Sequence, residues 1–390
     1  MKKVILFVSA LAMAATSMAQ VTVASKNGDF KLRVLGRTNL DAGFNVATSD
    51  ENIGYHNGVS IDDTRLGVSA SFDEKWSAKF EIKYADGAIS FTDVFVGYDF
   101  NQHHALKVGN FWQPFGTKIL GSLGYKFIEN ATVDAALDFD ARRIGLAYYY
   151  TSDRFNATVG IFSDGKLSSK KADLIDQGYS GSAKLIARPV LQSDDNGKVQ
   201  QVFHVGLASA YTSSKAKVGI NGKNPVTFGK AKTFVNTASF DPENTVRGEL
   251  ELLYINRRFY GEARYQIESL NVHASKNNGN GQNYLAYGAF AQVGYLLIGE
   301  QQNYNKKTAL AAAASPKSLE LLARVDYLSL DHDDYVFGQQ TDFTLGLNYY
   351  FNKYLNFRLN YIYATINGDR EHGVANNDYH TIQGRLQFSF

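Results

Sequence analysis

Residues 382–390 read Ile382-Gln383-Gly384-Arg385-Leu386-Gln387-Phe388-Ser389-Phe390, with apolar or small residues at every second place and polar ones between. Successive strand side chains point to opposite faces, so this spacing predicts one apolar and one polar face. The pattern recurs upstream. Leu355, Phe357, Leu359, Tyr361 and Tyr363 alternate with Asn356, Arg358 and Asn360. Val246 to Tyr254 alternates with Arg247, Glu249 and Glu251, and Phe259 to Ile267 with Glu262, Arg264, Gln266 and Glu268.

A soluble sandwich alternates in the same way, so period alone does not choose between the two. Three features favour a membrane barrel. The alternating runs reach about ten residues, the length that a tilted membrane strand needs and more than the usual soluble strand. Aromatics crowd the ends of the apolar rows (Tyr148, Tyr150, Tyr349, Phe351, Tyr361, Tyr363), as an interfacial girdle requires. Connections alternate between tight and long.

Strands are expected near residues 30–46, 59–73, 75–86, 89–100, 104–111, 142–152, 154–163 and 178–190. Eight more follow near 201–212, 244–256, 258–271, 284–297, 318–331, 340–351, 354–367 and 379–390. The fold class is therefore all-β, a transmembrane antiparallel up-and-down barrel of about sixteen strands. With both termini periplasmic, Asp73-Glu74, Ser152-Asp153, Asn256-Arg257 and Asn352-Lys353 become tight periplasmic turns. The long loops near 47–58, 112–141, 213–243 and 368–378 fall outside. Residues 298–317, which include Ala309 to Ala314, are too long for a periplasmic turn and have no account at this stage.

The N-terminus reads as an export signal, residues 1–19: Lys2 and Lys3, an apolar run from Val4 to Ala15 broken by Ser9, then a Ser17-Met18-Ala19 cleavage site. The remaining residues, 20–390, form a single outer-membrane barrel domain. The 40 Lys and Arg lose Lys2 and Lys3 with that segment, leaving 38 against 38 Asp and Glu. Such a balance gives no support to a nucleic-acid partner. No cysteine is present, which excludes disulfides, thiol catalysis and Cys-ligated metals. The composition holds 24 Tyr, 26 Phe and 34 Gly, with only 5 Pro. Aromatics at that level fit alternating surfaces better than one continuous apolar interior.

Several segments resemble the phosphate-selective porin O and P family. Gly109-Asn110-Phe111-Trp112-Gln113-Pro114-Phe115-Gly116 resembles that family's Pro-Phe-Gly segment after the fifth strand, followed by Phe127-Ile128-Glu129 and by Arg142 to Gly145. Gly294 to Glu300, Leu319 to Leu330 and Gly346 to Tyr350 are similar to its late strands, and the terminal Phe390 fits such barrels generally. The resemblance implies a homotrimeric porin in a Gram-negative outer membrane, surrounded by lipid, whose third external loop folds inward. It also implies anion preference, set by lumen arginines and constriction lysines, with phosphate as the candidate solute. Where the family carries an arginine after its Glu, this chain has Asn130.

In a barrel the polar face lines the lumen, and Arg or Lys arrayed there selects anions. Most inward arginines should pair across strands with inward acids such as Glu249, Glu251 and Asp326. Arg33, Arg37 and Arg65 are expected to face solute, because the early strands show few inward acids. Lys118, Tyr125 and Lys126 in the 112–141 loop, with Arg143 where it rejoins the wall, complete the candidate constriction. No catalytic residue, metal site or cofactor is expected. His103-His104 fall in a turn without an HExxH pattern. His204 faces the lumen, where an outer-membrane lipase keeps a base, but no G-x-S-x-G accompanies it. A general, non-selective pore and a barrel enzyme of the lipase or protease kind are the alternatives.

Overall fold

The computed structural model folds the alternation inside out. Along residues Gln339–Tyr350, Phe343 and Leu345 are 52 % and 58 % exposed, whereas Asp342, Thr344 and Asn348 are buried. A soluble protein would bury the other face. Apolar side chains on the outside and buried polar ones inside define a barrel whose outer solvent is lipid. The structure describes residues 22–47, 57–85, 87–116, 126–139, 142–165, 177–213, 217–222, 233–272, 283–368 and 376–390. The expected signal segment, Lys118 and Tyr125 lie outside them.

Sixteen strands make the barrel: β1 (Phe30–Ala47), β2 (Gly58–Phe72), β3 (Trp76–Ala85), β4 (Ala88–Asp99), β5 (His104–Phe111), β6 (Arg143–Thr151), β7 (Phe155–Ser163) and β8 (Tyr179–Ser193). The second half is β9 (Val199–Ser213), β10 (Pro242–Asn256), β11 (Phe259–Val272), β12 (Tyr284–Ile298), β13 (Ser318–Ser329), β14 (Gln339–Tyr350), β15 (Leu355–Asn367) and β16 (Asn377–Ser389). Each pairs antiparallel with the next, and β16 pairs with β1 from Tyr379↔Ala47 to Ser389↔Arg37, so no edge is left open. Phe390 fastens the seam through two backbone hydrogen bonds with Gly36. All sixteen expected strands are present, and the largest boundary difference is at β8, which runs on to Ser193.

One end of the barrel carries Thr22–Ala24, the C-terminal Phe390 and the tight turns. Asp73 and Glu74 both have positive φ, 51° and 56°, the conformation that a two-residue turn matched to strand twist requires. Paired rings mark this rim: Phe30 stacked on Phe72, Trp76 tilted against Tyr98, and Tyr349 edge-on to Phe351. Tyr179 with Tyr211 and Tyr287 with Tyr327 mark the other. Two aromatic belts around an apolar band are what the two membrane interfaces select.

Three connections occupy the interior. Residues 126–139, from the loop between β5 and β6, include helix α1 (Thr132–Leu137) and lie against the inward faces of β11 to β14. Gly288 permits this, because a Cβ there would meet Val133 Cβ at 2.9 Å and the Tyr327 carbonyl oxygen at 2.5 Å. The described part of the β9–β10 loop joins them, bridging Val218 to Phe240 and Asn221 to Asn236. Its Ile220, Val235 and Phe240 pack with Val133, Leu137 and Tyr284 into an apolar cluster within the barrel. This corrects the expectation of a wholly external loop at 213–243: its apolar residues have a partner only inside. Residues 299–317 form a small hairpin, Asn303–Asn305 paired with Leu310–Ala312, which packs Ala311 onto Val202, Leu253 and Ile255 at the turn end.

Candidate pore and its lining

The inserted segments are held by buried polar contacts, each at a specific inward-facing side chain. Lys126 is 3 % exposed and its ammonium lies 2.8 Å from Glu320, with Gln302 of the hairpin at the same distance. The Thr132 amide donates to Asp326, the Ile128 amide to Asn360, and Arg324 donates to the carbonyls of Glu129 and Asn130. Asp134 of α1 faces Arg264 at 3.3 Å. Asn130, in place of the family's arginine, thus gives the wall its backbone oxygen and leaves no charge there.

The hairpin has its own anchor. The Tyr304 hydroxyl accepts from Arg188 Nε at 2.8 Å and lies 3.0 Å from His204 Nδ1, while His204 Nε2 sits 3.2 Å from Glu251. Burial pushes the Tyr304 phenol up to about 12. Arg188 also donates to the Lys306 carbonyl, and Lys306 reaches Asp153 at 2.7 Å. That hydrogen bond and charge hold the Asp153 carboxyl below the usual carboxylate range. His204 therefore serves to fasten the hairpin. His103 and His104 bond to the Thr151 carbonyl and the Tyr148 hydroxyl.

These insertions cover one wall and leave the other open. The ion-paired set on the covered side around α1 is acidic: Lys126, Lys184, Arg247, Arg264 and Arg324 meet Asp134, Glu249, Glu251, Glu262, Glu268, Glu320 and Asp326. The opposite set, along β1 to β4 with Arg142, is basic: Arg37, Arg65, Lys79, Lys83 and Arg142 meet Asp63, Glu81 and Asp93. A cavity of about 700 Å³ lies against this basic wall. Six cations line it, Lys31, Arg33, Lys79, Lys107, Lys184 and Lys307, against two carboxylates, Asp93 and Asp99.

The candidate site residues separate accordingly. Arg33 lines the cavity, exposed, with no ion-pair partner among the described residues. Arg37 and Arg65 do not stand unpaired as expected. Both bind Asp63, Arg65 at 2.7 Å, and Arg65 also reaches Glu81 at 3.2 Å. Strict alternation from the lipid-facing Val59 and Ile61 would place Asp63 outward. A bulge opposite Arg37–Asn39, with Asp63 at φ 52°, resets the faces and turns it inward. A second bulge, where Phe80–Ile82 faces Phe91–Val94, does the same for Asp93. Arg143 pairs with Asp164 at 3.0 Å and covers the Phe139 ring, and Lys126 is buried as above. Lys31, Lys107 and Lys307 line the cavity. Lys31 lies two residues from Arg33 and so shares its inward face by strict alternation, but nothing in sequence links Lys307 to this wall.

Comparison with known proteins bears on this arrangement. A family model described as phosphate-selective porin O and P matches residues 33–390. A protein of Caulobacter vibrioides, itself uncharacterized, is 24 % identical over 372 residues, covering 89 % of this chain and 73 % of its own. Among solved structures, the trimer form of OmpT, an outer membrane protein of Vibrio cholerae, matches with TM-score 0.58 and 13 % identity, covering 93 % of this chain and 99 % of that one. An anion-selective porin from Comamonas acidovorans matches with TM-score 0.55 and 13 % identity, covering 93 % and 100 %. At such identities the structures speak for the fold, and the match over nearly the whole chain speaks for the family. The chain belongs to the phosphate-selective porin O and P family, as a closed sixteen-stranded porin of a Gram-negative outer membrane.

Proposed function

We propose that this porin passes small hydrophilic anions, inorganic phosphate among them, by passive diffusion, making and breaking no bond. The observation that carries the reading is the 700 Å³ cavity, where Lys31, Arg33 and Lys107 make no ion pair among the described residues. In a narrow aqueous path with low-dielectric walls, a local excess of one sign concentrates the opposite ion. Lys79, Lys184 and Lys307 are each paired with an acid, so Lys31, Arg33 and Lys107 supply that excess. The acidic wall would counter it, but the inserted loop and hairpin cover that wall. Phosphate is favoured within the anions by the family description, and Arg33 brings a guanidinium fork suited to oxyanions. Lys118 and Tyr125 are proposed to border the same path, and a homotrimer is proposed from the trimer form of the Vibrio cholerae barrel.

Zero-current potential across a bilayer holding the purified protein in a KCl gradient tests this, followed by titration with phosphate. An anion-favouring potential and a phosphate-dependent fall in chloride current are expected. Lys118→Glu should move the potential toward cations. A cation-favouring wild type would contradict the reading. Lipid or peptide turnover by the pure protein would contradict its non-catalytic part.

A further inference from the structure

The inner wall of a water-filled barrel is ordinarily polar, but the stretch from β4 to β7 is not. Phe95, Phe111, Tyr149 and Phe162 point inward there. Phe95 meets Phe111 edge-on at 6.1 Å between centroids, and Phe111 meets Phe162 at 5.4 Å. Lys107 sits among them, its ammonium 4.5 Å from the Phe95 centroid, 5.2 Å from Phe111 and 5.1 Å from Tyr149. It makes no ion pair among the described residues. Phe111 and Phe162 are buried, so they account for packing. Phe95, Tyr149, Trp112 and Lys107 each keep surface on the 700 Å³ cavity, and packing does not account for that.

The ladder register supplies the floor beside these rings. Lys31 pairs with Ser71, Ser71 with Ser77, Ser77 with Gly97, and Gly97 with Lys107. Two lysines thus frame three small residues, about 19 Å apart along the wall at the usual strand spacing. A Cβ on Gly97 would meet Ser77 Oγ at 2.6 Å, so the recess depends on that glycine.

Building on the anion reading above, we propose that this recess is a subsite for organic anions with a flat apolar body, such as aryl carboxylates. The acid group pairs with Lys107, and the Ser77 hydroxyl is available beside it. The ring lies on Phe95 and Tyr149, offset or edge-on as aromatic pairs prefer. A bare inorganic ion gains nothing from these rings, since their faces carry partial negative charge. An aliphatic acid of the same charge gains the lysine alone.

Block of the KCl current by benzoate, acetate and inorganic phosphate, measured on the full chain in planar bilayers, tests this. Benzoate should half-block at about a tenth of the acetate concentration, the ratio that one aromatic contact supplies. Phe95→Leu should bring that ratio toward one, and Lys107→Gln should weaken block by benzoate and acetate alike. Equal block by benzoate and acetate in the unaltered protein overturns the subsite, whether or not the variants fold. The zero-current potential from the same bilayers separates the two readings. A cation-favouring pore sinks the anion reading, while an anion-favouring pore with equal block sinks the subsite alone.

Discussion

Asp63 governs how much of the basic wall reaches solute, because one carboxylate holds both Arg37 and Arg65. Replacing it with Asn keeps the shape and removes the charge. Asp63→Asn should therefore shift the zero-current potential further toward anions, at a cost to the wall of about 1–3 kcal/mol for the lost charged hydrogen bonds. An unchanged potential would show that these arginines lie off the solute path. Tyr304 makes a second single-residue test. Tyr304→Phe keeps the ring and removes the oxygen shared by Arg188 and His204, so open-channel current noise should rise as the hairpin loosens. Asp153 adds a pH dependence. Its carboxyl is held low in the folded protein, so the tether to Lys306 is present at neutral pH and lost as pH falls through that lowered range. Both groups face solvent, so the effect is small and should appear as noise in acid, reproduced at neutral pH by Asp153→Asn.

Among the elements, the strands were legible and the insertions were not. A strand on the barrel wall repeats every two residues whatever lies within, so all sixteen could be read from the period. Bulges break that period by a single residue, and this hid the inward turn of Asp63 and Asp93. The hairpin's partners are far away in sequence: Tyr304 meets Arg188 and His204, and Lys307 meets Asp99. No local pattern announces such contacts, and its Ala309 to Ala314 tract had no account from sequence. The inward course of residues 126–139 was expected, but the use of Lys126 was not, since its partner Glu320 lies on β13. Lys126→Ala would leave Glu320 buried without its cation, a loss of about 3–5 kcal/mol. That exceeds what one loop contact can absorb. The loop should detach locally, which increased proteolysis of this segment in the folded porin would report. Shortening 299–317 to a tight turn should raise conductance and weaken anion preference together, as His204 and Glu251 lose the cover of Tyr304. A change in conductance alone would show the hairpin to be filler.

At the scale of the whole molecule, the proposed selectivity follows from what is covered. The chain carries 40 Lys and Arg against 38 Asp and Glu, so little overall charge attracts an anion. The barrel places an acidic wall opposite a basic one; residues 126–139 and the described part of the β9–β10 loop occupy the acidic side, and the hairpin reaches from it to Asp99 of β4 through Lys307. The pore was legible from the alternation; the proposed anion preference rests on which half of the lumen remains open, which no local pattern shows. The most direct measurement is the zero-current potential of the Lys31→Glu, Arg33→Glu double variant in a KCl gradient, beside the unaltered porin. Both side chains line the cavity, exposed and without an ion pair among the described residues, so their reversal should not disturb the wall. The account predicts an anion-favouring potential in the unaltered protein that moves to or past zero in the variant. Equal potentials for the two would contradict it, because solute would then be passing somewhere other than the basic wall.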